Sequence, residues 1–266
     1  MLKSGSALVY LYAKKHWPSG LPKHLMATKK EVCEASERAV RDLMKDATCG
    51  GVLVRLAGQS GSGKTTQLLP AALEFFEKQN LRPVVIAARN LAKYHPHYEE
   101  ILAEFGEAEI RKRTDDFATI LMYLVVAELT RKKCDMIIDL SFASTKVENL
   151  LILMTKKYTR RMLLIMAVAP WKVEELLQGR SWRHTKELER EFLDATGKAL
   201  KFYGKKCSGM RAVMWGFDEL EPIYDGRVVD AYEVWKREMK RKKYDEKYDA
   251  EELVMAKKRY LAENML

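Results

Sequence analysis

Short runs of apolar residues alternate along the chain with longer stretches whose apolar positions recur at helical spacing. The run Val52-Leu-Val-Arg-Leu-Ala57, bounded by Gly-Gly and by Gly, has the profile of a buried strand. Four more runs predict strands: Pro83–Ala88, Met136–Asp139, Met162–Val168 and Arg211–Trp215. Between them the spacing predicts helices over 67–79, 98–112, 116–132, 145–158 and 171–203. Upstream, Thr28 precedes a helical stretch that puts Val32, Ala35, Ala39, Val40 and Leu43 on one face. Apolar strands alternating with helices imply an α/β fold, three layers deep, with a mainly parallel sheet of about five strands. Residues 1–50 read as a helical N-terminal extension. From 228 to 266 the apolar stripe Val229, Tyr232, Trp235, Met239, then Leu253, Ala256 and Tyr260, reads as charged C-terminal helices packed on the central domain, 51–227.

Composition narrows the class. At 266 residues and 47% hydrophobic, the chain can bury a substantial core and is neither disordered nor collagen-like. It has no apolar run long enough for a membrane span. The N-terminal segment lacks a small-residue cleavage site after its short apolar patch, so it reads as mature structure. Forty-seven basic residues against 37 acidic ones give +10, which favours anionic ligands without choosing among them. No nucleic-acid signature with interleaved aromatics appears, which argues against nucleic acid as the partner. Cys33, Cys49, Cys134 and Cys207 form no C-x-x-C pair and suit free thiols in the cytoplasm, the expected location.

The strongest chemical signal is Gly58-Gln59-Ser60-Gly61-Ser62-Gly63-Lys64-Thr65-Thr66, which fits G-x-x-x-x-G-K-[ST] without mismatch. It lies between a predicted strand and a predicted helix, the setting of a P-loop, and makes the fold P-loop NTPase-type. The glycines let consecutive N–H groups point inward at phosphate oxygens, and the helix N-terminus adds partial positive charge. Lys64 can reach the outer phosphates of ATP, and the Thr65 hydroxyl can hold Mg²⁺. No Asn-Lys-x-Asp motif marks a GTPase. Met136-Ile-Ile-Asp139 continues as Leu-Ser, without the glutamate of motor and ABC-type ATPases. Arg180 and Arg183, in a polar stretch after the fourth strand, suit lid arginines that clamp a transferring phosphoryl group.

With these elements in place, the stretch from about 52 to 225 resembles the zeta-toxin family of P-loop kinases. The resemblance rests on Leu56–Thr66, on Ala92-Lys-Tyr-His-Pro-His-Tyr98 after the second strand, and on Ile137-Ile-Asp-Leu-Ser141 after a long helix. It implies ATP- and Mg²⁺-dependent phosphorylation of UDP-N-acetylglucosamine or a related sugar nucleotide, and an antitoxin protein as a possible partner. The departures are specific. The family carries a catalytic aspartate just after the second strand, where this chain reads Ala87-Ala-Arg-Asn-Leu-Ala92. The family's substrate glutamate falls on Tyr123, and an arginine after the third strand falls near Ala143.

Asp139, at the end of a predicted central strand, is therefore the candidate for Mg²⁺, for orienting the acceptor hydroxyl, or for taking its proton. Asn90, His95, Asp116 and Ser141 are candidates for the acceptor side. Asp115 and Asp116 read as a helix N-cap, with a carboxylate role for one of them as the alternative. The expected activity is transfer of the γ-phosphoryl group of ATP to a hydroxyl of a small-molecule acceptor: a nucleotide, nucleotide-sugar or similar metabolite. Two alternatives stand beside it: a catalytically silent nucleotide-binding protein, and a kinase acting on nucleic-acid ends.

Overall fold

The structure is a computed structural model that describes residues 21–59, 61–141, 145–177 and 186–264. A six-stranded sheet organises it, in the order β2-β3-β1-β4-β5-β6. The strands are β1 (Val52–Gly58), β2 (Val84–Ile86), β3 (Met136–Asp139), β4 (Arg160–Met166), β5 (Arg211–Trp215) and β6 (Tyr224–Arg227). The first five run parallel, and β6 closes one edge antiparallel to β5. This sixth strand was not legible in the pattern, because Tyr-Asp-Gly-Arg lies half exposed at an edge and carries no apolar run.

Side-chain alternation assigns the two faces. Val52, Val54 and Leu56 of β1 share one core with Leu164 and Met166 of β4, Val213 and Trp215 of β5, and Phe75 and Phe76 of α2 (Leu69–Lys78). Leu261 of α10 (Ala250–Asn264) joins the same core. On the opposite face, Leu53, Met136 and Ile138 pack under α1 (Lys29–Met44) and α5 (Glu107–Arg131). Leu163, Ile165, Ala212 and Met214 pack there under α8 (Lys186–Lys206) and α9 (Ala231–Glu238). The remaining α-helices among the described residues are α3 (Ala88–Leu91), α4 (Tyr98–Phe105), α6 (Thr145–Thr155) and α7 (Pro170–Leu177). The architecture is three-layer α/β/α.

Local chemistry sets the boundaries. Thr28 and Glu31 form a reciprocal capping box at the start of α1. Gly106, at φ 77°, ends α4, so the helix expected over 98–112 is two helices and α5 begins at Glu107. Asp135, fully buried, accepts from the Thr48 hydroxyl and from the N–H groups of Gly50 and Val52, which fixes the start of β1 against β3. The C-terminal ends of β1, β2 and β3 meet on one side of the sheet, where ligands bind in folds of this class.

Candidate nucleotide and acceptor site

The loop after β1 is shaped by glycine. Gly58 has φ +133°, and a Cβ there would lie 2.5 Å from the Met166 carbonyl oxygen of the neighbouring strand. Gly63, at φ 93°, opens a π-helical turn, Lys64–Leu68, that runs into α2. The wider turn brings the Leu69 N–H onto the Lys64 carbonyl and carries Pro70 into the helix start.

Lys64 is buried. Its Nζ donates to the Gln59 carbonyl at 2.6 Å and to Ser141 Oγ at 3.2 Å. Burial pulls its pKa down to about 8; Asp139 works against that shift, while Arg55 and Arg89 add to it. The Thr65 hydroxyl donates to Asp139 Oδ2 at 2.8 Å. Strand β3 thus delivers its last residue onto the first turn after the loop. Gln59 and Ser62 act within the loop. Gln59 Nε2 donates to the Val168 carbonyl at 2.8 Å, and Ser62 Oγ donates to the Gln59 carbonyl at 2.8 Å.

A cavity of about 740 Å³ opens over this loop. Gly61, Gly63, Lys64, Thr65 and Thr66 form its floor, with Asp139 and Ser141 beside them. One wall comes from Ala87 to Arg89 and from Arg111 and Asp115 of α5. The other comes from Phe217, Asp218, Glu246, Tyr248, Ala250 and Leu253. Ser60, Arg180, Arg183 and Ala143 lie outside the described residues.

Several expected acceptor-side residues lie elsewhere. Asn90 is exposed on α3 and absent from the cavity wall, which Arg89 occupies instead. His95 is buried with its ring 4.5 Å from that of Phe117, and burial lowers its pKa to about 4. It is a neutral packing residue whose Nδ1 accepts the His97 N–H at 3.1 Å. Asp115 and Asp116 do not cap a helix, because α5 starts eight residues earlier, at Glu107. Of the two, Asp115 reaches the cavity and Asp116 does not. Partial desolvation in the cavity wall pushes the Asp115 carboxyl upward, with Arg111 opposing. Tyr123 is buried in the α5 core.

Arg111 and the C-terminal wall carried no motif. Arg111 and Asp115 sit four residues apart, a spacing that puts them on one helix face. Nothing local to Glu246 or Tyr248 points to a cavity. Beneath the site, buried Arg55 of β1 donates to the Leu140 carbonyl at 2.6 Å and pairs with Glu148 Oε1 at 3.0 Å. Tyr203 of α8 donates to the other oxygen of Glu148 at 2.9 Å.

Fold and loop together define a P-loop protein with a three-layer α/β/α architecture. Residues 44–197, more than half of the chain, match the sequence profile of the Zeta toxin family, and the protein belongs to that family. A 114-residue segment is 31% identical to Toxin PezT of Streptococcus pneumoniae serotype 4 (strain ATCC BAA-334 / TIGR4). That segment covers 42% of this chain and 43% of the relative, less than half the length of either. A solved structure from the PezAT chromosomal toxin-antitoxin system of Streptococcus pneumoniae superposes with a TM-score of 0.69 at 19% identity. The superposition spans 91% of this chain and 100% of that one, and the likeness is one of fold.

Proposed function

We propose that the protein is an ATP-dependent small-molecule kinase of zeta-toxin type, transferring the γ-phosphoryl group to a hydroxyl of a nucleotide, nucleotide-sugar or similar metabolite. The observation that carries this reading is the convergence of Lys64, Thr65, Asp139 and Ser141 on the floor of one cavity. Lys64 would neutralise charge on the outer phosphates, the place where a fixed cation lowers the barrier most. Thr65 and Asp139 offer a hydroxyl and a carboxylate, hard oxygen donors that suit Mg²⁺ with water completing its shell. When bound, the ion would neutralise negative charge on the nucleotide's phosphates. Those two oxygens would be its protein ligands.

Asp115 is the proposed general base. It lines the cavity, and burial raises its carboxyl pKa, which suits a proton acceptor. Arg180 and Arg183 keep their proposed role as phosphoryl clamps. Because the relative at hand is a toxin and the superposed structure comes from a toxin-antitoxin system, an antitoxin is the proposed protein partner. The proposed location is the cytoplasm; among the described residues no helix is long and apolar enough to cross a membrane.

A second reading follows from the stretch Ala87–Ala92, where the zeta-toxin resemblance expects a catalytic aspartate and the chain has Arg89 and Asn90 instead: nucleotide binding without transfer. Incubation with γ-labelled ATP and a metabolite extract separates the two. The kinase reading expects label on a small molecule, lost in Lys64→Ala and reduced about 10²–10⁴-fold in Asp115→Asn, the range of general-base help. ATP binding with no labelled product supports the silent binder, and no ATP binding defeats both.

A further inference from the structure

The two oxygens proposed for the divalent cation already have a cation beside them. Arg89 Nη2 lies 3.4 Å from Thr65 Oγ1 and 3.4 Å from Asp139 Oδ2. Mg²⁺ binds its oxygen ligands at about 2.0–2.1 Å and demands near-octahedral geometry. A guanidinium beside both oxygens sets a full positive charge next to the ion's two protein ligands, so the two cations compete for this pair. A guanidinium's planar fork matches phosphate oxygens. Arg89 stands at the start of α3, directly after β2, with its side chain 48% exposed. The guanidinium therefore has solvent-side room to turn from Asp139 onto a phosphate. Asp139 is buried and faces Lys64 as well as Arg89, so local positive charge is ample before any metal arrives.

We propose that Arg89 is a built-in cation at the divalent-metal position. It alternates with Mg²⁺ on the Thr65–Asp139 pair, and it carries nucleotide phosphate charge when no metal is bound. This rests on the nucleotide reading of the P-loop and goes beyond it: nucleotide is held with or without a divalent ion, and the metal must displace an arginine to enter.

The test is binding of N-methylanthraniloyl-ATP, followed by fluorescence, in Mg²⁺ and in EDTA. Wild-type protein should bind with dissociation constants within about threefold of each other, because Arg89 replaces the lost ion's charge. Arg89→Ala should bind about 10–100-fold more weakly in EDTA than in Mg²⁺, the size of one or two charge-assisted hydrogen bonds. Arg89→Lys should fall between, since the charge stays and the fork goes. As a second readout, Mn²⁺ followed by electron paramagnetic resonance should bind the nucleotide complex of Arg89→Ala more tightly than that of wild type. An unchanged melting temperature for Arg89→Ala would keep a folding defect out of the comparison. Equal dependence on the divalent ion in wild type and Arg89→Ala overturns the proposal while leaving the P-loop reading intact. Failure to bind the probe even in Mg²⁺ overturns the P-loop reading and this proposal with it.

Discussion

Lys64 shows how burial prepares a residue for its ligand. Its ammonium sits in its own loop, donating to the Gln59 carbonyl, and burial lowers its pKa to about 8. A lysine with an unperturbed pKa stays charged to about 10.4, so here the charge is lost roughly two pH units earlier. Folding carries the cost of burying that charge at all pH values below 8, and an arriving phosphate offsets it. Nucleotide affinity should therefore be flat from pH 6 to about 7.5 and fall as pH rises through 8, because only the charged form pairs with phosphate. Titrating affinity from pH 6 to 10 checks this, and Lys64→Arg should abolish the fall in that range, since arginine does not deprotonate there. A fall that persists in Lys64→Arg would assign the titration to another group. His95 is the opposite case. The sequence made it an acceptor-side candidate, but its burial against Phe117 makes it a neutral part of the core.

At the scale of elements, Arg55, Glu148 and Tyr203 join β1, α6 and α8 behind the site. Glu148 is fully buried, and Arg55 is nearly so. Burial works most strongly against the Arg55 charge, but Glu148 and Tyr203 together outweigh it and raise the guanidinium's pKa. Burial, and then the Glu148 charge, hold the Tyr203 phenol far above its usual range. Arg55 also grips the Leu140 carbonyl, so the pair holds the backbone between Asp139 and Ser141. Removing one partner of a buried pair costs about 3–5 kcal/mol. Glu148→Leu should therefore lower the melting temperature by roughly 10 °C. Tyr203→Phe, which removes one donor, should cost about 1–3 kcal/mol. Thermal unfolding followed by circular dichroism checks both, and an unchanged Glu148→Leu would show that the network is not structural. The five parallel strands were legible because each is buried on both faces and reads as an apolar run. Arg55 interrupts the most central run, and nothing in the local sequence announces Glu148, which lies 93 residues away. Edge strand β6 and the break at Gly106 were missed for a related reason: neither changes the apolar periodicity that marks an element.

For the whole molecule, the P-loop floor was readable because all its residues are contiguous, whereas one cavity wall is built from the far end of the chain. Glu246, Tyr248, Ala250 and Leu253 face the loop nearly two hundred residues before them, and only tertiary packing brings them there. Helix α10 anchors this wall by packing on α2, with Lys258 paired to Glu74 at 3.0 Å and Leu261 buried in the shared core. The segment before α10 is tied down from several sides. Tyr244 accepts the Ala169 N–H at 2.8 Å, and Trp171 Nε1 donates to the Arg241 carbonyl at 2.7 Å. Asp218 accepts the Asp245 N–H at 2.8 Å. Glu246 adopts a left-handed φ of 48°, uncommon for a residue with a side chain, so surrounding contacts must hold it there. The principal one is buried Lys172, whose Nζ donates to Glu246 at 2.7 Å and to Glu175 at 2.8 Å. Lys172→Met keeps the length and apolar stem but removes the charge that fixes Glu246. The segment should then loosen, with faster hydrogen exchange at the Asp245 and Glu246 amides. If this wall forms part of the nucleotide site, affinity should drop about 3–10-fold, the cost of re-ordering a few side chains on binding. The melting temperature should fall by only a few degrees, because Glu175 and Glu246 are each about half exposed and keep water as a partner. Faster exchange with unchanged nucleotide affinity would separate the C-terminal wall from the nucleotide site and leave it a purely structural buttress of α2.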